Sequence, residues 1–290
     1  MTKARLLASG LHFGEGPRWH DGVLWFSDFF DYAVKTVDLD GHVEVKLNLS
    51  DRPSGLGWLP DGRLLVVSMT ARSVLRLEGR SLVLHADLSP LATFHCNDMV
   101  VDSKGRAYVG NFGFDLDTAE IDGTLREVVA AHQGATLVRV DPDGSIHAAA
   151  EGLMFPNGTV ITPDGRTLIV GESFGGRLTA FDVDDDGLLS NRRVWAELGT
   201  RVPDGICLDA DGAVWVANPI ANECFRVVEG GEVVDVIETD NRCFACMLGG
   251  TDRRTLFMLT SQYSLEVEAA PRRTGNVLIA EVATPGAGLP

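Results

Sequence analysis

The sequence predicts an all-β fold, a six-bladed β-propeller with four-stranded blades, on three observations. Short apolar strands recur at a period of roughly 40–50 residues, which is the spacing of propeller blades. Each repeat turns on Asp-Gly or a close relative, and that pair suits tight hairpins because its glycine accepts positive φ. No stretch has the sustained 3.6-residue periodicity of a long amphipathic helix.

The repeats follow in order. The first runs Pro17–Asp28 with a third strand at Ala33–Asp38, and the second runs Leu56–Ser68 with Ser73–Glu78. The third runs Met99–Gly110, with its third strand delayed to Ala135–Val140. The fourth is Thr159–Gly171 with Arg177–Asp182, the fifth Ile206–Ala217 with Cys224–Val228, and the sixth Met247–Leu259 with Asn276–Val282. The turn positions Gly22, Gly62, Gly105, Gly165, Gly212 and Arg254 lie 40, 43, 60, 47 and 42 residues apart. A ring of blades must close, and Arg5–Ser9 is the strand expected to pair with the last blade. The whole chain, residues 1–290, is read as one propeller domain. The interval of 60 residues holds an insertion at about 111–133, and a long loop on a rigid scaffold points to a lid over a site.

Composition narrows the function. With 25 Lys+Arg against 41 Asp+Glu the net charge is −16, which repels phosphates and argues against nucleic acid as a partner. No segment is long and apolar enough to span a bilayer, so no membrane partner is expected. Five scattered cysteines do not make a disulfide framework, and the apolar run after the start is too short for a signal peptide. The expectation is a soluble cytoplasmic protein of open oligomeric state.

The repeat also aligns positions. Counting eight residues back from each turn position, or seven in the shorter first turn, gives Glu15, Ser54, Asn97, Asn157, Asp204 and Cys246. Each precedes an apolar strand, and in a propeller such residues converge on the central channel. Carboxylates and carboxamides gathered there suit a hard cation, and two carboxylates would repel unless one sat between them. The competing reading is that Asn-Gly and Asp-Gly are simply favoured turn residues.

Several motifs together resemble the regucalcin, gluconolactonase and luciferin-regenerating-enzyme family, also called the senescence-marker-protein family. They are Gly14–Trp19, Asn97-Asp98, His132–Ala135, Pro156–Gly158, Phe181-Asp182, Asn191–Arg193 and Pro203–Asp209, and the likeness extends from about Phe13 to Val282. The resemblance implies one divalent metal in the channel, with Glu15, Asn157 and Asp204 as ligands and Asn97 as a fourth ligand or substrate contact. It also implies hydrolysis of sugar lactones or, in some members, of organophosphate esters. Where the sugar-lactonase pattern commonly has Arg two residues before the aligned Asn, this chain has His95. The metal centre therefore carries over more readily than the substrate.

Other motifs carry less. Gly171–Gly175 matches G-x-S-x-G but sits at a hairpin, not at a strand-to-helix elbow. Asp182–Gly187 begins like a calcium loop, yet its twelfth position is Arg193. Cys243 and Cys246 lack the second ligand pair of a zinc ribbon. The five tryptophans read as packing between blades. The expected function is a metal-dependent hydrolase opening a lactone or related small ester. The metal, Ca2+ first with Zn2+, Mg2+ or Mn2+ as alternatives, acts as Lewis acid. Asp204 is the general base, and Asn97 and His95 orient substrate. The alternatives are a phosphotriesterase-like hydrolase on the same centre and a propeller that only binds partners.

Overall fold

The computed structural model describes residues 3–287 and forms six four-stranded antiparallel sheets, one per repeat. Blade one contains Gly14–His20, Val23–Asp28, Ala33–Val37 and Val43–Asn48; blade two contains Pro53–Trp58, Leu64–Ser68, Ser73–Glu78 and Ser81–Asp87. Blade three begins with Cys96–Val101 and Ala107–Asn111 and resumes at Ala135–Val140 and Ile146–Leu153. Blade four spans Pro156–Ile161, Thr167–Glu172, Arg177–Val183 and Leu189–Glu197; blade five spans Ile206–Leu208, Val214–Asn218, Glu223–Val227 and Val233–Glu238. Blade six takes Arg242–Gly249, Thr255–Ser261 and Gly275–Glu281 from the end of the chain and Arg5–Leu11 from its start. Arg5 lies opposite Ile279 and Leu6 opposite Leu278, so the expected closing strand is in place. Among the described residues no helix is long and apolar enough to cross a membrane.

The inner strands of blades three, four and five are buried along their whole length, whereas outer strands such as Val43–Asn48 are largely exposed. Apolar layers fill the wedges between blades. Trp19 of blade one stacks on Phe257 of blade six at 5.4 Å, and Trp215 is almost wholly enclosed in the layer that joins blades five and six. The glycines that follow Asn157 and Asp204 belong to this packing rather than to hairpin turns. A Cβ on Gly158 would stand 2.4 Å from the Asp204 carbonyl oxygen, and one on Gly205 would stand 2.7 Å from the Ala245 Cα. Neighbouring inner strands approach so closely near the axis that only glycine fits there.

That approach also fixes the register. The Gly158 N–H donates to the Asp204 carbonyl, and the Gly205 N–H donates to the Phe244 carbonyl. Phe244 therefore holds in blade six the place that Asp204 holds in blade five. The sequence count to Cys246 slips in this blade for two reasons. Arg253, at φ 60°, takes the turn position counted as Arg254, and the inner strand is one residue longer between the axial Phe244 and that turn than in blades two to five. Cys243 and Cys246 instead lie in the apolar layer, with the Cys246 Sγ 3.8 Å from the Cys207 Sγ.

A polar residue ends the second strand of every blade: Asp28, Ser68, Asn111, Glu172, Asn218 and Ser261, all buried. Asp28, Glu172, Asn218 and Ser261 bind the backbone of the connections around the channel. Asp28 accepts from the N–H of Phe13 at 2.7 Å, and Glu172 accepts from the N–H of Met154 at 2.8 Å. Glu172 also pairs with Arg177 at 2.9 Å, and these bonds hold its carboxyl below the usual range despite burial. Because that pKa is depressed, its contribution to stability is complete above pH of about 4.5 and falls away as the solution becomes acid. Glu172→Ala removes a charge-assisted bond and leaves the Met154 N–H without a partner. The expected loss is roughly 2–3 kcal/mol, read as a lower urea midpoint at unchanged slope. The variant's stability should also depend less on pH between 3 and about 5 than that of the wild type. An unchanged midpoint would show that Glu172 does not hold this connection.

Candidate metal centre and cavity

Glu15, Asn97, Asn157 and Asp204 come together at the floor of one cavity of about 210 Å³ at the channel mouth. They start the inner strands of blades one, three and four and the approach to blade five, and all four are buried. Ser54, the aligned residue of blade two, donates to the Asn97 Oδ1 at 3.2 Å. The Asn97 Nδ2 donates to the Asn157 Oδ1 at 2.9 Å, and the Asn157 Nδ2 to the Ser173 Oγ at 3.1 Å. Ser173 donates in turn to the Pro203 carbonyl at 2.7 Å, beside Asp204. A chain of hydrogen bonds therefore crosses from blade two to blade five.

The electrostatics of this floor are one-sided. Burial raises the Glu15 carboxyl well above its ordinary range, and the nearby Asp204 raises it further. Asp204 is itself pushed up to about 8, chiefly by burial and then by Asp98, against the opposing hydrogen bond from Asn157. Below the floor, Asp98 is paired with the buried Arg18 at 2.9 Å, which also donates to the Met99 carbonyl. One of the three carboxylates thus has its counter-charge, and Glu15 and Asp204 share none. Two uncompensated carboxylates with two carboxamide oxygens beside them form an all-oxygen donor set that fits a hard divalent cation. The cluster of His12, Asp28 and Asp31 differs, because the Lys35 ammonium already fills it, 2.7 Å from Asp28.

His95 stands apart from these four. Its ring stacks on Phe94 at 4.0 Å and meets the edge of Phe112 at 6.2 Å, and its buried Nδ1 has no partner among the described residues. Burial and the Arg52 guanidinium lower its pKa. The cavity wall in front of it is Phe112. Blades two and six place arginines, Arg52 and Arg242, at the corresponding positions two residues before the axis, and both line the cavity.

The insertion folds into two short helices, Leu116–Ile121 and Leu125–Ala131, and Leu116, Asp117, Glu120 and Leu125 contribute to the cavity wall. Arg52 binds Asp117 at 3.1 Å and also Glu266 at 2.6 Å, at the start of a third helix, Glu266–Arg272. Tyr32 donates to the same Glu266 at 2.7 Å. One arginine thereby ties both excursions to blade two. Sequence reasoning did not find this clasp, since Arg52, Asp117 and Glu266 share no motif. It also missed the aromatic wall. Phe29, Phe112 and Phe174 lie on connections just beyond the second strands, outside the positions that the repeat aligns.

Residues 13–262 match the family model described as the SMP-30/Gluconolactonase/LRE-like region. The chain is 26% identical over 199 residues to regucalcin of Danio rerio, a match covering 67% of this chain and 63% of that protein. It is 26% identical over 289 residues to the 6-deoxy-6-sulfogluconolactonase of Pseudomonas putida, covering 96% of this chain and 94% of that enzyme. It shares its fold with the solved structure of regucalcin, a calcium-binding protein, from Agrobacterium tumefaciens. That superposition has a TM-score of 0.80 at 20% identity and covers 100% of this chain and 97% of the other. The chain belongs to the SMP-30/gluconolactonase/LRE-like family.

Proposed function

We propose that this protein is a lactonase-type hydrolase that works with one divalent cation held by Glu15, Asn157 and Asp204. The observation that carries the reading is the pair of buried, uncompensated carboxylates beside two carboxamides at the foot of the cavity. The gluconolactonase relative supports the reaction class, and the calcium-binding relative, together with the oxygen donors, supports Ca2+ over Zn2+, Mg2+ or Mn2+. When bound, the cation supplies Lewis-acid polarisation of the substrate carbonyl.

The chain's own residues do the rest. Asp204 accepts the proton of the attacking water as its oxygen adds to the carbonyl carbon. The ring C–O bond then breaks, the ring oxygen takes up a proton and becomes an alcohol, and a hydroxy acid leaves. Asn97, fixed by Ser54 and Asn157, orients the substrate. His95 acts through Phe112, which it braces, rather than by touching substrate. A panel of lactones followed by proton release, with and without chelator, tests the reading. Turnover that needs added cation is expected, and no turnover of any lactone or simple ester would overturn it.

The two helices of the insertion serve as the lid of this site. Replacing residues 115–131 with a short Gly-Ser linker should change the ratio of kcat/KM between bulky and small lactones by more than about tenfold. The melting temperature should fall only slightly, because Ala119 is the one residue of these helices that is fully buried. A large loss of stability with an unchanged ratio would make the insertion a structural element.

A further inference from the structure

Above its polar floor the cavity is aromatic. Phe13, Phe29 and Phe30 of blade one and Phe244 of blade six form one bank. Phe13 meets Phe244 edge-on at 4.7 Å and lies 5.4 Å from both Phe29 and Phe30. Phe112 of blade three with Phe155 and Phe174 of blade four form a second bank, with centroids 4.6 and 5.4 Å apart. Blades one and four are opposite one another in a ring of six, and so are six and three. The two banks therefore face each other across the channel, with Glu15, Asn97, Asn157 and Asp204 between them at the bottom.

Above the floor the charged residues of the lining are Arg52, Asp117, Glu120 and Arg242. There Arg52 is committed to Asp117 and Glu266, and Arg242 lies against the Phe244 ring at 5.2 Å and donates to the Gln262 carbonyl at 3.0 Å. Seven phenylalanines, with Met69, Leu116 and Ile220, nevertheless make most of the wall above the floor apolar. A polyhydroxylated lactone carries a hydroxyl on most ring carbons. Between these banks its hydroxyls would leave water and meet phenyl faces, which disfavours binding. An apolar ring gains there, through burial and through edge and face contacts with the phenylalanines. An apolar cavity of about 150 Å³ is known to take up benzene, so about 210 Å³ admits one substituted ring system.

We infer that the substrate is an apolar lactone, bearing an aryl or alkyl group, rather than a sugar lactone. This rests on the lactonase reading, and the two can fail separately. The experiment compares kcat/KM for γ-phenyl-γ-butyrolactone and glucono-1,5-lactone on the calcium-loaded protein. In parallel, calorimetry follows the binding of the γ-phenyl lactam, which is not hydrolysed, and of the corresponding gluconolactam. The apolar lactone should be favoured by at least about 10²-fold. The phenyl lactam should bind saturably with a negative heat-capacity change, and the sugar lactam more weakly. Equal or faster turnover of the sugar lactone would overturn the inference and leave the hydrolase reading standing. If neither lactone is hydrolysed but the phenyl lactam binds, the inference about the cavity holds and the hydrolase reading falls. If the phenyl lactam does not bind, or binds no better than the sugar lactam, the inference falls.

Discussion

Asp204→Asn is expected to lower kcat by about 10²–10⁴ at saturating calcium while the ion remains bound. The two effects separate because the proposed function gives the carboxylate two tasks. As a ligand it offers an oxygen to the cation, and the amide of Asn keeps an oxygen at nearly the same place. As a base it must accept a proton, which an amide cannot do near neutral pH. Loss of one charge from the floor weakens the ion's attachment, so the assay must be run where further calcium no longer raises the rate. Bound calcium is then measured on the same sample. Activity within about tenfold of wild type at full occupancy would remove Asp204 from the role of base and leave it as a ligand.

Removal of the cation should act on both rate and stability. With chelator, turnover should disappear, and it should return when calcium is restored. A ligand that binds only the folded chain at 100 times its Kd contributes about 2.7 kcal/mol. For a chain of this size that corresponds to a fall of roughly 4–5 °C in melting temperature when the ion is withdrawn. The physical source is the pair Glu15 and Asp204, whose mutual repulsion and burial are relieved by the ion. Glu15→Gln, which removes that repulsion, should show a smaller gap between its calcium-loaded and stripped melting temperatures. Identical melting curves with and without calcium would reject the metal centre.

The blades were legible because strand alternation and Asp-Gly turns are local and repeat. The same repeat pointed to Glu15, Asn97, Asn157 and Asp204, which the structure places on one cavity floor. It failed in blade six, where Phe244 stands at the axis instead of Cys246. There an arginine with positive φ replaces the turn glycine and the inner strand is one residue longer between axis and turn, and neither leaves a mark in the apolar pattern. His95 was aligned correctly along the strand but faces Phe94 and Phe112, since side-chain direction depends on neighbours that a single strand does not encode. The aromatic banks escaped notice for a related reason. Phe29 and Phe174 ride on 3-10 turns of 3 residues, Phe29 as the first residue of its turn and Phe174 as the second, so no fixed count from the turn positions reaches them. The buried polar residue that ends each second strand could have been found. Asp28, Ser68, Asn111, Glu172, Asn218 and Ser261 follow an apolar run in every repeat, and a charged or amide residue there contradicts burial unless it serves the backbone around it.

The closing strand Arg5–Leu11 has a bearing on the order in which the molecule comes into being. It is made before every other described strand of the ring, and its partner Gly275–Glu281 after all of them. During synthesis the blades can form one after another, but the growing chain stays an open arc whose first and latest blades do not touch. Glu15 belongs to the first blade and Asp204 to the fifth, so their final separation is set only when that arc closes. Affinity for calcium should therefore appear late and abruptly. A series of nascent chains arrested at successive blades should bind little until the last strand has left the ribosome. The ion would then act as a latch on the completed ring, and not as a nucleus around which the blades gather.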